Sequence, residues 1–334
     1  MAPLAPAVTE LFGPLQRLIA DPLVTDVLVV PGPSVWVDRG AGLQPVPVPL
    51  TAGHARALAV GLISAGGRRL DDAEPCADVQ LPGGLRVHAV LPPVAIGGVA
   101  VSIRVPSPAA PSLDGWRMAP GLRERLRAVL RERGNILISG ATGAGKSTLL
   151  TGLLAEVPGD ERLVVVEDVA ELVIPHPHVV QLQTRPPNAE GRGEWTMAGL
   201  IRQSLRMRPD RLVIGECRGE EVRDMLMALN TGHGGCATTI HANSAAAVAA
   251  RLEALGMLAG LDPGVLAVLA VSALHLVVHV RRVGGVREVA EAGVLRRDAG
   301  GRLEVRPLDG ASGGGRRAPG ASALGGRLGS SACW

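Results

Sequence analysis

Ile136-Leu137-Ile138-Ser139-Gly140-Ala141-Thr142-Gly143-Ala144-Gly145-Lys146-Ser147-Thr148 reads as an apolar strand, a glycine-rich turn and the start of a helix. Gly140, Gly145, Lys146 and Ser147 satisfy the G-x-x-x-x-G-K-[ST] spacing of a phosphate-binding loop. Each residue type has a physical job. Glycine lets the backbone turn sharply and approach a ligand with no Cβ in the way. The N–H groups of Ala141, Thr142, Gly143 and Ala144, with those opening the helix through Thr148, can then converge on an anion. Lys146 brings a compact charge to the terminal phosphates, and the Ser147 hydroxyl is suited to Mg2+. The following Leu149, Leu150, Leu153 and Leu154 supply the apolar helix that separates such a loop from a chance glycine-rich turn.

Lys146 is the single lysine in a chain with 34 basic residues. A chain so biased towards arginine still has lysine here, which fits a site where a planar guanidinium cannot replace a point charge. The same fact bears on the base. The Asn/Thr-Lys-x-Asp element that reads guanine needs a lysine, and none is left, so ATP is expected rather than GTP.

The 334 residues suggest about two domains. Hydrophobic content of 47% supports real cores, but aromatics make up only 1%, so those cores must be built from Leu, Val, Ile and Ala. The net charge is +3, and the acid-free stretch after Asp309, with Arg316, Arg317 and Arg327, accounts for all of it. The balanced remainder gives no case for direct nucleic-acid binding. Cys76, Cys217, Cys236 and Cys333 form no C-x-x-C pair and read as reduced thiols of a cytosolic protein. Met1-Ala2-Pro3-Leu4 lacks the basic and apolar regions of a signal peptide. The apolar run from Val265 to Val280 is interrupted by Ser272, His275 and His279, and is too short for a membrane span; it reads as a buried helix followed by a buried strand.

Outward from the loop, the chain divides. Residues 4–20 have helical periodicity, Val27–Val30 and Val35–Val37 read as strands, and Thr51 is placed to cap a helix running to about Ser64. Val79–Leu81, Val87–Leu91 and Val99–Ile103 are further short strands, so residues 1–105 are expected to form an α+β domain. Residues 106–113, with Pro106, Pro108 and Pro111, read as a linker. From 114 to 308, apolar strands alternate with helices, which predicts an α/β domain with a mostly parallel sheet covered on both faces. Residues 309–334, mostly Gly, Ser, Ala and Arg, read as disordered.

Two strands end in acids. Leu212-Val213-Ile214-Gly215-Glu216 matches the second strand that sets a carboxylate beside phosphates and Mg2+ in P-loop proteins. Val164-Val165-Val166 is followed by Glu167, Asp168 and Glu171, three carboxylates that repel unless solvated or facing a cation. Near a phosphate loop, a metal-binding or water-activating role is the better reading. His233 and His241 flank a strand; their spacing of eight and the lack of an intervening acid argue against zinc and leave phosphate sensing or water positioning. Arg202, Arg206, Arg208, Arg211 and Arg218 crowd around Glu216 as candidates for neutralising transition-state charge, with nothing in the residues themselves to choose among them.

The pattern resembles the ATPases of type II and type IV secretion and pilus assembly, most of all the tight-adherence pilus and conjugation-type branch. The matching blocks are GATGAGKST (140–148), VVVEDVAEL (164–172), TRPPNAEGRGE (184–194), LRMRPDRLVIGECRG (205–219) and NTGHGGCATTIHAN (230–243). Upstream, DPLVTDVLV (21–29), ADVQLPGGLRVHAVLPP (77–93) and VSIR (101–104) extend the likeness to roughly residues 20–295. The resemblance implies an N-terminal sensor-like α+β domain and a RecA-like P-loop ATPase domain. It also implies a homo-hexameric ring, peripheral at the inner face of the cytoplasmic membrane, working with inner-membrane platform proteins. By motif position it assigns water activation to Glu167, with Asp168 and Glu171 in support, and the second carboxylate to Glu216. His233 and His241 fall in the histidine box, and Arg86, Arg104 and Arg208 match arginines that reach the nucleotide. Gly215 agrees with the family, whose second carboxylate motif carries Gly where many P-loop ATPases have Asp. His88, Val105, Gly235 and Cys236 depart from the family pattern.

The reading is therefore a motor that hydrolyses ATP with Mg2+. Ser147, Glu216 and Asp168 are its metal candidates. Two rivals stay open at this point: a nucleotide-gated scaffold with little turnover, and a RecA-like ring acting on DNA.

Overall fold

The protein is a computed structural model described for residues 6–308, except 33, 107–111, 186, 188, 189 and 233. Two sheets organise it. In the first, β1 (Asp26–Val30), β2 (Ser34–Asp38), β3 (Leu43–Val46), β4 (Cys76–Gln80), β5 (Arg86–Val90) and β6 (Ala100–Arg104) lie antiparallel in the order β3-β2-β1-β6-β5-β4. Burial alternates along these strands, so one face is core and the other polar, as expected where only one side is covered. The buried face holds Val27, Val29, Val87, Ala89, Val101 and Ile103.

Short helices α1 (Pro6–Leu11) and α2 (Gln16–Ile19) precede this sheet, and α3 (Ala52–Ala65) packs on its buried face through Leu58, Leu62 and Ile63. Thr51 caps α3, its hydroxyl accepting the His54 N–H at 3.2 Å. The helix expected over 4–20 is broken in two. Pro14 has no N–H to give, and a short 3-10 turn over Gly13–Leu15 separates α1 from α2.

The second sheet is built differently. Its strands are β7 (Ile136–Gly140), β8 (Leu163–Glu167), β9 (Val179–Gln183), β10 (Arg211–Ile214), β11 (Ala237–His241), β12 (Leu276–Val283), β13 (Val286–Arg297) and β14 (Leu303–Pro307). They lie in the order β14-β13-β12-β7-β11-β10-β8-β9. From β12 to β9 the pairing is parallel, and β13 and β14 close one edge antiparallel. β7, β8 and β10 are buried at every position, because helices cover both faces.

Helices α4 (Leu122–Arg131) and α5 (Lys146–Leu154) pack on one face; α6 (Met197–Ser204), α7 (Glu221–Leu229), α8 (Ala247–Leu258) and α9 (Pro263–Ala273) pack on the other. On α4, Leu122, Leu126 and Leu130 fall on one stripe and are buried while Arg125 and Arg131 are exposed. Each such leucine contributes roughly 1.5–3 kcal/mol of transfer free energy. The run from Val265 does divide into a helix, α9, and a buried strand, β12. Among the described residues no helix is long and apolar enough to cross a membrane.

The sequence reading missed β3 and β14. Both are short edge strands: Leu43-Gln44-Pro45-Val46 contains a proline, and Leu303–Pro307 alternates with charged residues. Most of the expected linker (107–111) and the whole of 309–334 lie outside the described residues.

Candidate functional site

In an open parallel sheet, ligands settle in the crevice beyond the carboxyl ends of the strands. Here that edge brings together, on neighbouring strands, the loop after β7, His241 ending β11, Glu216 after β10 and Glu167 ending β8. His241 is the direct cross-strand partner of Gly140. Long stretches of sequence separate these residues, and the crossover order collects them.

The loop is shaped by close approaches. A Cβ on Gly140 would stand 2.6 Å from the Val280 carbonyl oxygen, so only glycine fits against β12. Gly145 sits at φ +102°, in the left-handed region where a side chain is strained, and opens α5. Ala141, Thr142 and Gly143 are exposed, Ala144 is buried beneath them, Ser147 is exposed on the first turn and Thr148 is half-buried beside it.

Lys146 is buried, and its ammonium donates to the carbonyls of Gly140 and Ala141 and to Nδ1 of His241, each at 3.1 Å. Burial lowers its pKa, opposed by the charge of Glu216. An ammonium has no acceptor, so His241 must present an unprotonated Nδ1 and carry its proton on Nε2. Burial pulls the His241 pKa down, which favours that neutral ring. Its Nε2 lies 2.7 Å from Oε1 of Glu216, off the line of a well-formed hydrogen bond, and that oxygen is buried without one. The other Glu216 oxygen accepts from Nε of Arg218 at 2.6 Å, and Arg218 also lies 3.8 Å from Asp168.

Glu167 is buried at the end of β8. Its Oε1 accepts the N–H groups of Glu171 (2.9 Å) and Leu172 (3.1 Å), while Oε2 is buried with no partner. Burial raises its pKa, and the two backbone donors oppose the rise. Its side chain lies on Gly215, where a Cβ would meet its Cγ at 2.8 Å. A bulkier residue at 215 would displace the carboxylate. Asp168, whose pKa burial also raises, is half-exposed beside Arg218.

The arginines sort differently from the sequence expectation. Of the five around Glu216, Arg218 is the one paired with it, Arg202 pairs with Asp224 at 2.6 Å, and Arg211 is buried against Glu161 at 2.6 Å. Arg208 is not brought to the loop. It precedes β10 at φ +54°, at the opposite end of a parallel strand from Glu216. Arg104 is not at the loop either; its Nε lies 3.5 Å from Asp26 on β1. Arg86 does reach the acidic strand end, pairing with the Glu171 carboxylate, and Gln80 donates to the Ala170 carbonyl beside it. His233 lies outside the described residues.

Among the described residues, no three His, Cys, Asp or Glu side chains gather into a metal cage. Oε2 of Glu167 and Oε1 of Glu216 are buried without a hydrogen bond, the latter 2.7 Å from Nε2 of His241. Glu216 and Asp168, both beside Arg218, and the exposed Ser147 hydroxyl are oxygen donors that fit Mg2+, a hard ion that takes one or two carboxylates and completes its shell with water and phosphate oxygens.

The chain matches the family described as type II/IV secretion system protein over residues 9–299. It is 47% identical over 311 residues to a putative conjugal transfer protein of Mycobacterium tuberculosis, covering 89% of this chain and 88% of the relative. It is 32% identical over 262 residues to the type IV secretion system protein VirB11 of Brucella suis, covering 69% and 72% of the two chains. Among solved structures, the Legionella pneumophila ATPase DotB superposes with a TM-score of 0.58 at 19% identity, over 88% of this chain and 78% of that one, a likeness of fold.

Proposed function

The chain belongs to the type II/IV secretion system protein family, and on that premise we propose that it is an ATPase motor powering a secretion, conjugation-type or pilus-assembly apparatus. The tight-adherence pilus, the homo-hexameric ring, the platform-protein partners and the peripheral position at the inner face of the cytoplasmic membrane are the finer parts of this proposal. So is the division into an α+β domain over 1–105, a linker over 106–113 and a RecA-like domain over 114–308. Two sheets with separate buried clusters support that division.

The observation that carries the enzymatic reading is Glu167. A buried carboxylate is costly unless its oxygens are satisfied, yet this one leaves Oε2 buried without a hydrogen bond, at the carboxyl edge of the same sheet as the loop, while two backbone N–H groups fix Oε1. Such a group is oriented to take a proton from an attacking water. In this reading the loop N–H groups from Gly140 to Thr148 cradle the phosphates of ATP and Lys146 donates to them. Glu167 is the general base, and Glu216 positions water through its network with His241 and Arg218. Ser147, Glu216 and Asp168 would hold Mg2+, which neutralises phosphate charge when bound. Arg86 would neutralise charge from the first sheet. Arg104 and Arg208 would have to act on a nucleotide held by another copy of the chain.

The test is ATP hydrolysis by the purified chain against Glu167→Gln, with mass measured by light scattering in the same samples. Turnover that disappears in the variant while nucleotide-dependent hexamers persist supports the motor. Equal, negligible turnover in both proteins, even with platform protein added, favours a scaffold.

A further inference from the structure

The β12–β13 hairpin beside the phosphate loop carries more positive charge than it neutralises. Arg117, Arg281, Arg282 and Arg287 converge there. Glu288 pairs with two of them, accepting from Arg117 Nε at 2.7 Å and from Arg281. Arg282 donates to the Gly285 carbonyl at 3.3 Å. Arg287 is half-buried, and among the described residues it has neither an ion pair nor a side-chain hydrogen bond.

Its position is specific. A Cβ on Gly145 would stand 3.1 Å from Cδ of Arg287, 3.3 Å from its Nε and 3.1 Å from Cη2 of Trp116. The arginine stem thus lies across the backbone of the residue before Lys146, with the buried Trp116 ring beside it. β7 has β11 on one flank and β12, then β13, on the other. Lys146 leans towards His241 of β11, and Arg287 approaches from the β13 side.

Taking a guanidinium partly out of water costs free energy unless an anion or acceptor meets it. Burial, and secondarily the Arg282 charge, lower the Arg287 pKa from the ordinary arginine value, the sign of an uncompensated cation. The nearest feature built for negative charge is the loop itself. We propose that Arg287 is a nucleotide-binding residue that donates to the phosphate chain from the β13 side, so that the phosphates lie between it and Lys146. This rests on the reading of residues 140–148 as the nucleotide site. The alternative is a solvated surface arginine that happens to border the loop.

The experiment uses the full chain and Arg287→Met, which keeps an apolar stem against Trp116 and removes the charge. Calorimetry measures binding of ADP and of inorganic tripolyphosphate, a phosphate chain with no base or sugar. Losing a charged hydrogen bond predicts roughly ten-fold weaker binding, or more, for both ligands, with Arg287→Lys recovering part of it. Unchanged affinities in Arg287→Met overturn the proposal and leave the loop reading intact. Loss of ADP affinity with tripolyphosphate unaffected overturns the phosphate contact. A wild-type chain that binds neither ligand overturns the loop reading and this proposal with it. Should Arg287→Met lower the unfolding midpoint, Arg287→Gln carries the same comparison.

Discussion

Gly215→Ala isolates the placement of Glu167 from its chemistry. The added methyl would sit 2.8 Å from Cγ of Glu167, 3.4 Å from Oε1 and 3.5 Å from Cβ. Carbon–carbon contact is comfortable near roughly 3.5–4.0 Å, so Cγ must retreat by about 1 Å. Little can yield. Oε1 is held by two backbone N–H groups, and β8 is hydrogen-bonded between β10 and β9. Overpacking of this kind costs about 1–3 kcal/mol, which lowers the unfolding midpoint by a few degrees. The larger effect is on rate. A misplacement of about 1 Å costs on the order of 100-fold, within the roughly 100- to 10,000-fold that a general base supplies. The expected outcome in a steady-state phosphate-release assay is kcat down about 100-fold with KM for ATP near wild type, because the loop proposed to bind phosphate is untouched. A variant that turns over within about two-fold of wild type would refute the assignment of Glu167 as a positioned base.

Three further perturbations read other parts of the site. Burial raises the Glu167 pKa, so the fold favours the neutral acid and pays for its ionisation at neutral pH; Glu167→Gln should abolish turnover yet raise the unfolding midpoint, and a lower midpoint would contradict the burial reasoning. Lys146→Ala should lose nucleotide binding and turnover with the fold retained, since its ammonium bonds only to two loop carbonyls and His241; unchanged hydrolysis would remove the loop from the mechanism. His275 accepts the Asn135 N–H at Nδ1 (2.9 Å) and His279 is buried, and burial lowers both pKa values from 6.5. The unfolded chain therefore takes up more protons below about pH 6.5, and stability is lost as pH falls through the window between the unfolded and folded values. His275→Gln should flatten part of that fall in midpoint between about pH 7 and pH 5.5, and parallel curves for the two proteins would refute the assignment.

The parallel sheet was legible because its strands are uniformly apolar and separated by helix-length segments, and β7, β8, β10 and β11 appear within a few residues of where periodicity sets them. β3 and β14 were not, because an edge strand need bury little and its pattern is dominated by its partner: Leu43 is exposed, and Gln44 and Pro45 carry no alternation. In the site, the loop and the two acid-ended strands announce themselves by spacing. Arg218 does not. It is one of five nearby arginines, and only the turn after β10 aims it at Glu216 while the Arg208 end of the same strand points away. Arg287 gave no signal at all; its proximity to Gly145 comes from a hairpin some 140 residues downstream that folds back beside β7. The role of Gly215 was legible as a motif but not as a cause, since the packing of Glu167 on it is a contact between neighbouring strands.

Those contacts bear on how hydrolysis and movement are coupled. The backbone N–H of Glu171 fixes Oε1 of Glu167, and the Glu171 carboxylate pairs with Arg86 on β5 of the first sheet. One residue therefore touches both the proposed base and the other sheet. If the first sheet shifts, or if Arg86 turns to a phosphate, Glu171 loses its partner and the turn that orients Glu167 is released on one side. Gln80 holds the same turn through the Ala170 carbonyl. At the far side of the crevice, a phosphate in the loop would compete for the Lys146 protons now given to His241, whose ring abuts Glu216. The charges proposed to bind nucleotide and the contacts that hold the first sheet thus meet on the two carboxylates proposed to act on water, a contiguous route by which phosphate binding could shift the first sheet.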